Sequence, residues 1–337
     1  MHRDRTSVRG VRLAHRVPHP VPLPTQGSAA WCRPSGARRG IRHDAHVQVH
    51  LIDGTYELFR HHMGLPADVA AASKAAATRG VLRSVCDLLE DGATHVGVAC
   101  DTVIESFRND LWPTYKTGDG IEPALKDQFP VVERALEAMG VTVWGMVELE
   151  ADDALATAAA RAAEDDAVER VVICTPDKDL AQCVVGTRVV QLDRRAASIR
   201  DEDGVRERFG VPPESIADYL ALVGDSADGF PGLPGWGAKS AAVVLSRWGT
   251  IEAIPADPGD WDVTVRGAAR LAAVLEDGRE IAARFKVLAT LVRDARGVLE
   301  DGVAPLRWAG PRDDFADVCA ELDAPELPAR VAAIGAS

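Results

Sequence analysis

Five short β-rich runs, at residues 47–52, 94–100, 141–147, 170–174 and 188–192, alternate with stretches at 69–89, 121–139 and 151–163 that repeat apolar residues every three or four positions. This alternation constrains the fold more than any other feature, because successive strand, helix, strand units close into a parallel sheet with helices on both faces. An α/β architecture is therefore expected. From about Pro212 the strand signals fade, and residues 214–223, 238–248 and 265–293 read as helices of a small second module. One more helix and a tail are expected after Gly310.

An open parallel sheet binds its ligands outside the carboxyl ends of the strands. In this chain those ends are acidic. The first strand ends in Asp53 and the second in Asp101; the third runs into Glu148 and Glu150, and Asp177 and Asp179 follow the fourth. The helix after the third strand opens with Glu150, Asp152 and Asp153, which also suits a helix N-terminus through its dipole. One Asp after a strand is an ordinary turn or cap residue. Acids at the ends of four strands are a different matter. Carboxylates gathered in one crevice repel one another, and without His or Cys among them they select hard cations such as Mg²⁺ or Mn²⁺. Two such ions can activate water and stabilise the leaving oxygen of a phosphodiester.

The formal net charge of −13 seems at odds with a polyanionic partner. The charge is unevenly distributed, however. Residues 1–46 hold nine Arg and no Lys against Asp4 and Asp44, which makes this segment +7 and leaves −20 for the remainder. Prolines at 18, 20, 22, 24 and 34 among Arg, Ser and Gly, with no apolar periodicity, read as a disordered extension and not as a secretory signal. No apolar run approaches the ~18 residues of a membrane helix. The six cysteines are scattered without zinc spacing, as expected of reduced thiols in a cytoplasmic protein.

The connection at residues 224–240 is rich in Gly and Pro. Gly232, Gly235 and Gly237 permit positive φ and close backbone approach, and the turn delivers free N–H groups at the start of a helix from Ala238, a seat for phosphate. Lys239 and Ser240 add a charge and a hydroxyl, and Trp236 is expected in the core. The same stretch carries Asp225 and Asp228, within reach of the strand-end acids.

The stretches LIDGTYELFR, DTVIESFRNDLWPTYKTG, ELEADDALA, TPDKDLAQ and GDSADGFPGLPGWGAKSA, in this order and separation, resemble the bacterial 5′-3′ exonuclease and flap endonuclease family, the nuclease module fused to DNA polymerase I and also found free-standing. The resemblance implies a PIN-like domain over residues 47–212, a helix-three-turn-helix (helix-hairpin-helix) module over 213–310 and a C-terminal helix and tail over 311–337. It implies metal-binding acids at Asp53, Asp101, Glu150, Asp152, Asp153, Asp177, Asp179, Asp225 and Asp228, with no counterpart for Glu148. It further implies a phosphate-contacting Arg108 and catalytic Tyr115 and Lys116 on a helical arch near residues 108–129. DNA contacts would come from Gly232, Gly235, Gly237, Lys239 and Ser240. Two or more Mg²⁺ or Mn²⁺ ions and a monovalent cation at the hairpin are implied as cofactors. The implied protein is a free-standing, nucleoid-associated monomer acting on DNA 5′ ends, flaps and nicks, linked to a DNA polymerase and ligase. The chain departs from the family pattern at Gly229 (usually Asn), Trp236 (usually Ile) and Ser240 (usually Thr).

Two alternatives belong to other classes. One is a catalytically impaired protein that binds branched DNA. The other is a metal-dependent phosphatase of the haloacid-dehalogenase type, suggested by Ile52-Asp53-Gly54-Thr55; Leu51 stands where that chemistry needs its nucleophilic Asp. His61 and His62 read as a solvated face, and Arg194, Arg195 and Arg200 as either a solvated loop or a track for duplex phosphate.

Overall fold

In the computed structural model, which describes residues 47–334, the strand runs form a six-stranded sheet of order β3-β2-β1-β4-β5-β6. These are β1 (Val47–Asp53), β2 (His95–Asp101), β3 (Thr142–Met146), β4 (Val168–Cys174), β5 (Val189–Asp193) and β6 (Ser198–Arg200). The first five pair in parallel and β6 pairs antiparallel with β5. The five expected strands are present within two residues at each end. The sixth escapes a periodicity argument because it is a three-residue edge strand without a buried residue. The disordered extension expected over residues 1–46 lies outside the described residues.

Both faces of the sheet are covered, and side-chain alternation decides what each covers. Val49, Leu51, Ala99, Val171 and Ile173 point to one core, and Ile52, Val96, Val98, Cys100, Val172 and Cys174 to the other. The crossover from β1 to β2 carries α1 (Gly54–Met63), α2 (Ala67–Ala72) and α3 (Ala76–Glu90), where periodicity alone suggested one helix over 69–89. That from β2 to β3 carries α4 (Arg108–Leu111), α5 (Pro123–Lys126) and α6 (Phe129–Ala138), with prolines in the first turns of α5 and α6. Helix α7 (Ala151–Glu164) crosses the opposite face, its buried side supplied by Ala151, Ala154, Leu155, Ala158, Ala159 and Ala162. Because β1 and β4 are neighbours, the strand order reverses between them, and their carboxyl ends form the crevice where such sheets bind ligands.

The second module follows α8 (Glu202–Phe209). It contains α9 (Ile216–Val223), α10 (Ala238–Trp248), α11 (Ala268–Asp277) and α12 (Arg279–Ala289), with Gly278 dividing what periodicity read as one helix over 265–293. Its core joins Leu220, Phe230, Trp236, Leu245, Trp261, Leu271 and Phe285. After α12 the chain returns to the sheet. Leu291, Val298, Leu299 and Leu306 pack with α7, and residues of α13 (Phe315–Glu321) and α14 (Leu327–Ile334) join the core of α3 and α6. Residues 291–310, grouped with the helical module on sequence grounds, are thus part of the packing of the sheet.

Among the described residues, Cys86, Cys100, Cys174, Cys183 and Cys319 are free and buried, and no helix is long and apolar enough to cross a membrane. The returning segment has a measurable consequence. Phe315 is 2 % exposed in the α3–α6 core, so Phe315→Ala should cost about 3–5 kcal/mol in urea unfolding; an unchanged midpoint would make this segment a loose appendage.

Candidate active site

Asp53 ends β1 and caps α1, its Oδ1 accepting from the Tyr56 N–H at 2.8 Å and its Oδ2 from Thr175 Oγ1 at 3.2 Å. Asp101 ends β2, and its Oδ1 accepts from the Ala151 N–H at 2.7 Å, which ties β2 to the start of α7. Beyond β4, Asp177 Oδ1 accepts from the Asp179 N–H at 3.0 Å. The loop between α9 and α10 brings Asp225 and Asp228 from the helical module; it is pinched by paired bonds between Asp225 and Phe230, at 2.8 and 3.0 Å. Asp179, Asp225 and Asp228 each present a carboxylate oxygen, all within 4.8 Å of one another.

The pKa directions record this crowding. Burial raises Asp53 to about 7, with repulsion from Asp101 and Asp177 adding to it and the Tyr56 N–H opposing. Burial, then repulsion from Asp177, Asp53 and Asp101, raises Asp152 well above the ordinary range. Asp179 is raised likewise by burial and by Asp177, Asp228 and Asp225, and Asp228 rises to about 6 through burial and Asp225. Acids from the ends of three strands, the start of α7 and the helical module therefore sense one another across one pocket.

Two lysines offset part of the charge. Lys116 Nζ lies 3.4 Å from Asp101 Oδ2 and 3.5 Å from Glu150 Oε2; burial disfavours its charge, but Asp101, Asp152 and Glu150 outweigh that and raise its pKa. Lys178 Nζ sits 2.5 Å from Asp225 Oδ2. Tyr115 is buried against Phe230, with its hydroxyl 3.5 Å from Glu150 Oε2. Neutralisation is incomplete: Asp179 Oδ1 is buried and has no partner. An oxygen-only donor set with an unsatisfied buried carboxylate fits a hard divalent cation.

Several expectations need correcting. Arg108 is 1 % exposed, and all five of its N–H donors are used. Nε donates to Leu288 O at 2.8 Å, Nη1 to Glu150 Oε1 and Asp153 Oδ2 at 2.9 and 2.8 Å, and Nη2 to Asp153 Oδ1 and Thr290 O at 2.8 and 3.0 Å. No donor remains for a phosphate, so Arg108 is a strut between α4, α7 and the end of α12. Asp153 is fully buried and equally committed: beyond Arg108, its Oδ2 accepts from the Glu150 N–H and its Oδ1 from the Val292 N–H. It closes a capping box with Glu150 at the start of α7 and has no oxygen free for a metal. Glu150 keeps Oε2 toward Lys116 while its Oε1 is held by Ser106 and Arg108.

The hairpin differs in detail. Gly232 and Gly235 have φ of +68° and +84°, whereas Gly237 is extended, and the Ser240 hydroxyl is spent on the Gly237 backbone N–H and C=O at 3.0 and 2.9 Å. Exposed Lys239 lines a groove with Gly235, Gly237 and Arg266, and Trp236 is buried with its Nε1 donating to Leu271 O at 3.3 Å. Instead of an arch spanning residues 108–129, two four-residue helices, α4 and α5, flank an irregular strap.

His62, expected on a solvated face, is buried and pairs with Glu122 at 3.2 Å. Arg194 donates to the Ser84 hydroxyl and carbonyl at 2.7 Å, and Glu148 is exposed. Gln182 was overlooked. It donates to Ala289 O at 2.9 Å and accepts from the Leu291 N–H at 3.0 Å, helping Arg108 and Asp153 orient the module.

A family model described as 5′-3′ exonuclease, N-terminal resolvase-like domain, matches residues 48–210, and one described as 5′-3′ exonuclease, C-terminal SAM fold, matches residues 211–313. The chain belongs to the 5′-3′ exonuclease family. A 5′-3′ exonuclease of Streptomyces coelicolor is 33% identical over 231 residues, covering 62% of this chain and 75% of that protein. DNA polymerase I of Pseudomonas aeruginosa is 34% identical over 255 residues, covering 72% of this chain. This member of the family spans only 27% of that polymerase's length. Its fold matches a bacteriophage T5 flap endonuclease solved in a pseudo-enzyme-product complex with DNA and metal ions, at TM-score 0.57 and 17% identity, covering 86% of this chain and 100% of that one.

The carboxylate crowding sets a pH dependence. Asp53 holds its proton to about 7 in the folded state but releases it near 3.8 when unfolded, so the folded state binds more protons between these values and stability falls as pH rises through the window. In EDTA the urea midpoint should fall from pH 4.5 to 7, and Mn²⁺ at pH 7 should raise it. A midpoint flat with pH and indifferent to Mn²⁺ would contradict the reading of the pocket.

Proposed function

We propose that this protein hydrolyses DNA phosphodiesters as a divalent-metal-dependent 5′-3′ exonuclease and structure-specific flap endonuclease. The observation that carries the reading is the convergence of Asp53, Asp101, Asp152, Asp177, Asp179, Asp225 and Asp228 from both modules, left short of positive charge at the buried Asp179 Oδ1. Asp53, Asp101, Glu150, Asp152 and Asp177 would hold one metal group, and Asp179, Asp225 and Asp228 the other. The absence of His and Cys from this set favours Mg²⁺ or Mn²⁺. Bound ions would make water a stronger nucleophile and neutralise charge at the scissile phosphate.

The chain's own groups do the rest. Lys116, 27% exposed and ringed by acids, stays protonated and offers its ammonium to charge developing on the phosphate. Tyr115, wedged against Phe230, backs it. The N–H groups opening α10 with Lys239 would hold the backbone of the DNA duplex without reading bases, and Arg266 on the same groove would add a second charge. DNA with 5′ ends, flaps or nicks is the proposed substrate, and the likeness to DNA polymerase I supports action beside a polymerase and a ligase in replication and repair.

The Asp152 side chain makes no hydrogen bond among the described residues, so it can be removed without breaking the scaffold. With Mn²⁺ and a 5′-labelled flap substrate, Asp152→Ala should cut at least ~10²-fold more slowly than the parent while binding DNA equally well. Equal cutting rates would sink the assignment of the pocket, and an inactive parent would favour a branched-DNA-binding protein. Lys239→Ala should weaken duplex binding and lower the salt slope of log K by about 1; an unchanged slope would remove Lys239 from the interface.

A further inference from the structure

The strap that carries Lys116 is docked on the helical module around Gly229. Three contacts define it: Lys116 N–H donates to Asp228 O at 3.0 Å, Trp112 Nε1 donates to Gly229 O at 3.1 Å, and the Gly229 Cα faces Thr114 O. Aromatic packing extends the dock, with Trp112 edge-on to Phe285 at 5.2 Å, Phe285 against Phe230 at 5.5 Å and Tyr115 stacked parallel on Phe230 at 6.5 Å. On the strap itself, Asn109 Nδ2 holds the carbonyls of Tyr115 and Lys116 at 3.1 and 3.2 Å, and Glu105 Oε1 accepts from the Gly118 N–H at 2.8 Å. Every contact sits within a few residues of Lys116.

Gly229 alone makes the close approach possible. A Cβ built there would lie 2.2 Å from Thr114 O, far inside the 3.0 Å that real Cβ atoms respect, and the obstacle is backbone, which cannot rotate away. The φ of +81° is not the decisive constraint, since Asn adopts positive φ readily. The contact is. Resemblance to the family places Asn here; the strap of this chain has no room for it.

We propose that Gly229 is a positioning residue for Lys116: its missing side chain lets the strap seat on the Asp225–Phe230 loop and fixes the ammonium over Asp101 and Glu150 before any substrate arrives. Its kinetic consequence rests on the nuclease reading above; its structural consequence does not. The chain is preorganised where an arch free of the module would have to order on DNA.

The test compares the parent with Gly229→Asn and Gly229→Ala, both with intact melting curves as the entry criterion; the smaller Ala serves should Asn prevent folding. Limited trypsin digestion reads the dock directly. Cleavage after Lys116 should be slow in the parent and at least about ten-fold faster in both variants, because the added Cβ, common to both, lifts the strap. On a flap substrate with Mn²⁺, kcat should fall ~10²-fold with KM within about two-fold, as expected for a misplaced charge and intact DNA binding. Trypsin cleavage at the parent's rate in both variants would overturn the proposal. Faster cleavage with unchanged kcat would overturn the link to Lys116, and faster cleavage with no nuclease activity even in the parent would uphold the dock and overturn the functional reading instead.

Discussion

Mutual repulsion among buried carboxylates is the constraint on which the rest of this structure depends. Acids drawn from the ends of β1, β2 and β4, the start of α7 and the α9–α10 loop are pressed together where the strand order reverses, and burial raises Asp53, Asp152, Asp179 and Asp228 away from the ordinary carboxylate range. Such an arrangement costs stability unless positive charge enters. The chain supplies some of it through Lys116 and Lys178 and leaves the buried Asp179 Oδ1 without a partner.

The scaffold divides its acids into two kinds. Asp153 and one oxygen of Glu150 are consumed by the five donors of Arg108, which also grasps two carbonyls at the end of α12, and this cluster with Gln182 fixes the helical module against the sheet. Removing one partner of so buried a pair leaves a charge uncompensated, a loss of about 3–5 kcal/mol. Asp152, next in sequence to Asp153, carries none of these duties. Adjacent carboxylates on one helix turn thus do opposite jobs: Asp153 holds the two modules together, and Asp152 faces the pocket. The module so fixed brings Asp225 and Asp228 to the sheet's acids and, through Gly229, seats the strap that carries Lys116.

The parallel sheet, the strand-end acids and the helix from Ala238 to Trp248 were legible in the sequence, because each depends on local pattern: alternation, periodicity, or the residue that follows a strand. What was not legible depends on distant partners. The resemblance implied a phosphate contact for Arg108, whose role as a strut depends on carbonyls at residues 288 and 290, and His62 read as solvated because its partner Glu122 lies sixty positions away. Gly278, which splits the last long helical stretch, and the Glu150-to-Asp153 spacing of a capping box were signals present in the sequence and available to local reasoning.

If these acids hold paired divalent ions, crystals soaked in Mn²⁺ will reveal them as anomalous difference density. Two peaks are expected, one bounded by Asp53, Asp101, Asp152 and Asp177 and the other by Asp179, Asp225 and Asp228. A pocket without anomalous density at saturating Mn²⁺, or peaks confined to surface carboxylates elsewhere, would contradict such binding.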